Sequence, residues 1–396
     1  MERVVIAGAG PVGCVAALAL ARAGVPVVLL EAEAELPLDL RGSTFHPPTL
    51  DMLDDLGVVE RLIGEGIVCP VWQHRDRSAG VVAEWDLALL RDDTRHPYRV
   101  QAEQYKLTRI IAEELKRFPH VSLRYRARAT GVQQDADGVD VAIETPDGPE
   151  TLRGAYLIAA DGASSVIRRA IGIEFPGLTF PELWLCASTP YEFTRHFDKL
   201  APIAYVADPE EWFVFVKVPG LWRLLLPTAP GETAADIVKE PYVQMRMQRV
   251  CPTGRDYALG HVTAYAVHQR VATSYRKGRV LLAGDAAHIN NPLGGMGMNG
   301  GIHDAMNLSE KLAGVLRGET DAGVLDRYDR QRRPIAVEYV QSATLRNKAI
   351  LEEKDPAVRR ARQDDLKRTA ADPIKARAFL LQSSMINAVQ RAAALA

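Results

Sequence analysis

The chain has 396 residues, 47% hydrophobic and 25% charged, with a formal net charge of −2, so it is long enough for two domains and ordinary for a globular protein. Near-neutral charge removes the electrostatic reason to expect nucleic acid or an anionic membrane as a partner. The nine histidines show no pair at metal-ligand spacing, so no metal is expected, and four cysteines with no CxxC pair point to a reducing compartment.

The first elements follow at once. The N-terminus opens on the apolar run VVIAG without the pattern of a signal peptide, and no apolar run approaches the roughly 18 residues of a membrane span. A cytoplasmic protein with no membrane span is expected. Val4 to Ile6 read as a buried strand, and Gly8, Gly10, Pro11, Val12 and Gly13 form a GxGxxG turn that opens a helix ending near Gly24. Val27 to Leu30 form the next strand, closed by Glu31, 18 positions after Gly13. In such a unit Gly8 allows the tight turn, Gly10 lets backbone N–H groups approach a pyrophosphate, and Gly13 lets helix and strand pack closely. The helix N-terminus favours the phosphates, and Glu31 stands where an acid accepts hydrogen bonds from a ribose. Dinucleotide binding is the expectation; NAD and FAD remain open at this point.

Two later stretches carry similar punctuation. YLIAADGASSVIRRA, 156–170, is a strand ending in Asp161 and Gly162 followed by a short helix with Ser165, Arg168 and Arg169. Its alternative reading is an Asp N-cap on a surface-charged helix. LLAGDAAHINNPLGGMGMNGG, 281–301, is a strand, then Asp285, then a loop nearly bare of side chains. Ile302, Ala305, Leu308, Leu312 and Leu316 recur at helical spacing, so the loop 292–301 is expected to feed a helix beginning near Ile302. Bare N–H groups and a helix dipole there would stabilise negative charge on a flat ring.

Taken together, GAGPVG with its acid, DGASSVIR and GDAAHINNPLGGMGMNGG resemble the FAD-dependent aromatic hydroxylases of the para-hydroxybenzoate hydroxylase type, over most of the first 345 residues. The resemblance implies an α/β fold: a Rossmann-like FAD/NAD(P)-binding domain interrupted by a β-sheet substrate domain, with a helical C-terminal tail. By the resemblance, Gly8, Gly10, Gly13 and Glu31 hold the ADP half of FAD, Arg41 lies near the pyrophosphate, and Gln104 touches the cofactor beside a helix. Asp161 and Gly162 serve FAD and NAD(P)H, Asp285 binds the ribityl chain, and Pro292 with Gly295, Gly297, Met298 and Asn299 lines the flavin. It also implies that NADH or NADPH, docking transiently over Asp161 and Arg41, reduces FAD, and that O2 adds to give a flavin hydroperoxide that hydroxylates an aromatic small molecule. Asn290 and Asn291 before Pro292 depart from many relatives and make a more polar active-site ceiling the expectation.

The rest of the chain divides by rhythm. Segments 1–70, 101–173 and 275–345 are assigned to the FAD domain, 71–100 and 174–274 to the substrate domain, and 346–396 to a helical C-terminal segment. EWFVFVKVPGLWRLLLP, 211–227, reads as a hairpin around a Pro-Gly turn, and 261–272 as a strand leading back to the FAD domain. Residues 374–395 read as one amphipathic helix, packed on the fold or on a second subunit in a homodimer.

His46, His288 and Pro292 are the catalytic candidates. Either histidine serves as the base that deprotonates a phenol, or it shapes the cofactor loop by hydrogen bonding; His268 reads as structural. Arg223, a charge within an apolar strand, either grips a substrate carboxylate or points to solvent. Tyr205 and Trp212, with Trp222 and Tyr265, either line an aromatic pocket or pack the core. Competing activities are a reductase, a halogenase, whose WxWxIP signature is absent, and a FAD-binding protein with a sensing role.

Overall fold

The computed structural model describes residues 3–38, 40 and 42–396. The expected FAD domain is built on a six-stranded sheet in the order Arg276–Lys277, Val280–Leu282, Tyr156–Ala159, Val4–Ala7, Val27–Leu30, Val121–Arg124. All its pairings are parallel except the first, and Val4 stands opposite both Tyr156 and Val27. Val4–Ala7 and Tyr156–Ala159 are buried along their whole length, as strands covered on both faces must be. The helix Pro11–Arg22 follows the first strand, and Gly24 ends it with φ +76. An antiparallel sheet, Arg128–Gln134, Val139–Thr145 and Gly148–Gly154, lies between the third and fourth parallel strands of the chain, Val121–Arg124 and Tyr156–Ala159.

The second sheet has eight strands, in the order His288–Ile289, Val262–Val271, Gly177–Thr189, Leu221–Pro227, Phe213–Val218, Ile203–Ala207, Val71–Asp76, Gly80–Asp86. Only the pairing of Ile203–Ala207 with Val71–Asp76 is parallel. The expected hairpin is Phe213–Val218 against Leu221–Pro227, turning at Gly220 with φ +76. Period-two alternation assigns the two faces. Ala204, Val206, Phe213, Phe215, Leu224 and Leu226 pack into one core with the helix Glu240–Val250, while the intervening side chains face the FAD domain.

Two short strands cross the expected division. Arg99–Gln101 pairs with Thr44–Phe45 and Ile67–Cys69 in a small sheet at the junction, and His288–Ile289, which follows the GD loop, joins the eight-stranded sheet. The tail also differs from its reading. Ile374–Leu395 is not one helix: Pro373–Ser383 and Ile386–Ala394 are separated at Met385, whose φ is +66. Before the break the Phe379 ring stacks on Trp85 at 3.9 Å, and beyond it Ala388 and Ala392 pack with Ile335 and Ala343. Among the described residues no helix is long and apolar enough to cross a membrane.

Candidate flavin and substrate site

Two cavities meet along the GxGxxG turn. One, of about 550 Å³, is walled by Gly8 to Pro11, Glu31, Gln104, Asp161 and Gly162. The other, of about 410 Å³, lies between the FAD domain and the eight-stranded sheet. Gly10, Pro11, Gln104 and Gly162 border both, so one elongated ligand can occupy the pair.

The glycines of the turn divide by what a Cβ would meet. At Gly8, with φ +100, it would lie 2.4 Å from the Ala160 carbonyl oxygen, and at Gly13 it would lie 1.9 Å from that of Gly8. Those two are kept bare by the protein's own backbone. At Gly10 a Cβ meets no described atom within 4 Å, so the need for glycine there lies with a ligand in front of it. Glu31 is buried at the edge of the same cavity and accepts from the N–H groups of Ala9 (3.3 Å) and Glu33 (3.0 Å). The Asp161 carboxylate accepts from the Ile167 N–H at 3.2 Å, and its other oxygen is buried with no hydrogen-bond partner among the described residues. Ser165, not Asp161, caps the following helix, accepting from the Arg168 N–H at 2.9 Å. Arg168 is not a surface charge: it is buried, lies over the Phe175 ring at 3.9 Å, and donates to the carbonyl of Ala286 at 2.9 Å. It thereby ties the DG turn to the GD turn.

Asp285 sits just beyond Val280–Leu282 and is exposed to the 410 Å³ cavity. The helix expected from Ile302 begins six residues earlier, at Met296, and runs to Leu316. Its N-cap is Gly295 in the left-handed region, with no side-chain cap, so the first N–H groups face the cavity that Pro292, Gly295, Gly297 and Met298 line. The early start has a packing cause. A Cβ at Gly301 would lie 2.6 Å from Val12 Cγ2, and one at Gly300 3.2 Å from His288 Cε1, so these glycines let two helices and a histidine approach closely.

Several expected site residues stand elsewhere. Asn299 is fully buried and does not line the flavin cavity: its amide donates to the carbonyls of Thr44 (2.7 Å) and Gly295 (2.6 Å), and its oxygen accepts from the His46 N–H (2.9 Å). His46 is likewise fully buried behind the loop, with Nε2 2.8 Å from the Gly294 carbonyl oxygen. Burial, then the nearby Arg99 charge, hold it well below the usual histidine range. It shapes the loop and is not placed as a base. His288 also points away from the cavity, with Nε2 2.7 Å from the Asp304 carboxylate. That carboxylate also accepts from the Gly284 N–H (3.2 Å) and from Arg332 Nε (2.7 Å). Trp212 packs edge-on against Trp184, ring centroids 5.1 Å apart, in the core and not in the cavity wall. Arg41 lies outside the described residues. Of the two asparagines, Asn290 borders the cavity, whereas Asn291 is fully buried and bonds to Gln269.

The sheet side of the cavity is mostly apolar, with Ile203, Val214, Val216, Leu225 and Val267. Tyr205 and Arg223 interrupt it. The Tyr205 hydroxyl accepts the Gly294 N–H at 3.0 Å, and burial pushes the phenol above its ordinary value. Arg223 is 2% exposed; it donates to the Leu40 carbonyl, and one terminal nitrogen lies 3.6 Å from Glu103. Its Nε and that terminal nitrogen have no hydrogen-bond partner among the described residues. The sequence reading missed Cys186 and Thr263, which line the same wall. Strand alternation with Leu225, opposite Cys186 in the register, was the available signal. It also missed Asp304, whose signal was a carboxylate beside the apolar stripe Ile302, Ala305, Leu308.

The donor set suits FAD: open backbone at Gly10, an orphaned carboxylate oxygen at Asp161, Asp285 facing the cavity, and uncapped N–H groups at Met296. Comparison with known proteins agrees. Residues 1–343 match the family described as FAD binding domain. The chain is 34% identical over 391 residues to a para-nitrophenol 4-monooxygenase of Pseudomonas sp. strain WBC-3, covering 98% of this chain and 96% of that one. It is 33% identical over 357 residues to a 6-hydroxy-3-succinoylpyridine 3-monooxygenase of Pseudomonas putida, covering 87% and 88%. Among solved structures, a p-nitrophenol 4-monooxygenase from Pseudomonas putida DLL-E4 superposes with a TM-score of 0.93 at 33% identity, covering 98% of both chains.

Proposed function

This chain belongs to the FAD-dependent aromatic hydroxylases, and from that premise we propose that its substrate is a single-ring phenol carrying a polar group opposite the hydroxyl. It is a monooxygenase that uses NAD(P)H and O2; bound FAD, once reduced, activates oxygen for insertion into an aromatic ring.

The observation that carries the substrate reading is the placement of Tyr205 and Arg223 on one apolar wall. Tyr205 stands opposite Val214 and Arg223 opposite Val216 on the shared neighbour Phe213–Val218, so they lie two strands apart, about 10 Å across the sheet. That leaves room for one six-membered ring with a polar group at each end. Tyr205 accepts a backbone N–H and so keeps its own proton for a substrate oxygen, while Arg223 has donors to spare for the opposite group. The apolar side chains between them keep water out and strengthen both contacts. On the cofactor side, Asp285 would accept from the ribityl chain, and the first N–H groups of Met296–Leu316 would stabilise negative charge on the ring system. The relatives named for para-nitrophenol and for a hydroxypyridine support the same size class.

The test is turnover. FAD-loaded protein is mixed with NADH or NADPH under ¹⁸O2 and offered 4-nitrophenol, 4-hydroxybenzoate, a hydroxypyridine and a polycyclic phenol. The expected result is NAD(P)H consumption matched by one ¹⁸O atom in the product for the one-ring compounds only. Matched turnover of the polycycle, with none for the single rings, would refute the reading.

The proposal includes a cytoplasmic location, supported by four cysteines that form no disulfide. It also includes a homodimer, for which exposed Leu345 and Ile374 on the C-terminal helices offer apolar surface. A monomer at every concentration in sedimentation would remove the dimer.

A further inference from the structure

We propose that Arg99, one side chain behind the cavity wall, is a positioning residue whose charge holds the bound substrate as its phenolate, with the oxygen at the Tyr205 hydroxyl. This rests on the phenol reading above.

Arg99 is 2% exposed, on the short strand Arg99–Gln101. An arginine buried this far ordinarily has a carboxylate beside it, because an uncompensated charge in the interior is costly. Among the described residues Arg99 forms no ion pair. Its guanidinium lies over the Trp72 ring at 4.8 Å, one terminal nitrogen donates to the Ser383 carbonyl at 3.2 Å, and Nε has no partner. Trp72 in turn meets the Tyr205 ring edge-on, centroids 5.7 Å apart, so the charge stands one ring away from a side chain that lines the cavity.

The titratable groups around it come from every element packed there, and each is held neutral. Cys69, opposite Arg99 in the small sheet, is pushed up to about 12 by burial, with Arg99 opposing. His74, on the neighbouring sheet strand, is lowered to about 4 by burial and then by Arg99. His46, at the start of the helix Pro47–Asp55, is lowered well below its ordinary value by the same two causes. Tyr205 is raised by burial, although Arg99 and the Gly294 N–H both favour its anion. Arg99 itself is lowered only to about 10, so it stays charged near neutral pH. The cluster therefore holds one positive charge against several neutral partners and the partial charge of a helix C-terminus.

What completes it is an anion on the cavity side of Tyr205. A phenol bound there gains from releasing its proton: the oxyanion accepts the Tyr205 O–H and lies within the field of Arg99. An ionised ring oxygen also makes the ring more electron-rich, which is what oxygen transfer to carbon requires. The resulting preference is for substrates that ionise at that oxygen.

The experiment uses FAD-loaded enzyme without NAD(P)H and 4-nitrophenol as probe, whose phenol and phenolate absorb at different wavelengths. Bound-state ionisation is read by difference spectra across pH for wild type, Arg99→Gln and Arg99→Lys. Gln retains a donor for the Ser383 carbonyl but no charge; Lys retains the charge. The expected result is that wild type ionises the bound phenol at lower pH than free 4-nitrophenol does. Arg99→Gln weakens that ionisation constant by roughly tenfold, the scale of one charge about 12 Å away in a medium of effective dielectric about 20, and Arg99→Lys keeps most of it. An ionisation unchanged in Arg99→Gln overturns the inference and leaves the substrate reading intact. Failure of 4-nitrophenol to bind wild type overturns both. Should Arg99→Gln not retain FAD, the lysine variant decides: a wild-type-like shift supports the electrostatic role, and its loss with the charge kept overturns it.

Discussion

The backbone N–H of Gly294 donates to the hydroxyl of Tyr205 at 3.0 Å, joining the flavin-facing loop to the substrate sheet. One residue thus sets the spacing between the two halves of the site and offers a proton to whatever lies between them. Tyr205→Phe removes both. A lost hydrogen bond of about 1–1.5 kcal/mol lowers kcat/KM by about tenfold, with FAD affinity little changed. Steady-state kinetics beside a flavin titration checks this, and an unchanged kcat/KM refutes it.

Gly10 and Gly13 separate ligand from fold. Gly10→Val fills space that is open in the protein, so the variant folds with a near-normal Tm but binds FAD ~10–100-fold more weakly, the scale of lost phosphate contacts. Gly13→Ala forces a Cβ against the Gly8 carbonyl and lowers Tm itself. An FAD titration, read beside a melting curve, distinguishes the two; wild-type FAD affinity in Gly10→Val contradicts the site.

Arg223 faces the cavity with donors unused. Arg223→Ala raises KM for a phenol with an anionic second substituent by ~10–100-fold, as loss of a charge-assisted bond does, and changes KM little for a neutral analogue. Equal effects on both substrates would remove its role in holding that group.

His74 sets an acid limit on stability. The Trp85 indole N–H donates to its Nδ1 at 2.9 Å, which requires the neutral ring, and the folded value is lowered to about 4, by burial first and Arg99 second, against about 6.5 unfolded. As pH falls from 6.5 to 4 the unfolded chain takes up the proton first. Stability is therefore complete above pH 6.5 and declines by about 3 kcal/mol down to pH 4. Urea midpoints for wild type and His74→Phe between pH 7.5 and 4.5 test this; parallel declines in both proteins would exclude His74 as the cause.

Asp304 is fully buried between His288, Arg332 and the Gly284 N–H. Burial alone would raise its carboxyl, but His288 and Arg332 hold it below the usual range. Asp304→Asn leaves Arg332 without its acid and costs about 3–5 kcal/mol of stability. It also loosens the turn that carries Asp285. Chemical denaturation with and without FAD measures both effects, and a variant as stable as wild type would refute the hub.

The parallel sheet was legible because three of its buried strands, Val4–Ala7, Tyr156–Ala159 and Val280–Leu282, are short apolar runs that stop at Gly-x-Gly, Asp-Gly or Gly-Asp, where ligands of such sheets gather. On the cofactor side, Gly8, Gly10, Glu31, Gln104, Asp161 and Gly162 border one cavity, and Asp285, Gly295, Gly297 and Met298 the other. The misreadings share a cause: local sequence does not say which way a polar side chain turns. His46, His288 and Asn299 sit in the right loops but bond behind them, and Trp212 turns into the core. The helix from Met296 was read late because glycine lowers helix propensity, which close packing against Val12 overrides. Arg99 was invisible because its meaning comes from Cys69, His74 and Tyr205, brought together only by the fold.

The alternation of the eight-stranded sheet has a consequence for how such a protein can change its diet. Phe213, Phe215 and Leu224 are committed to the core beneath, whereas Val214, Val216 and Leu225, their immediate neighbours, line the cavity and pack with the side chains on its own side of the sheet. Substrate range and folding are thus written on interleaved letters of the same short strands. A library varied at every second position would explore new rings while leaving the load of holding the sheet together to the letters in between.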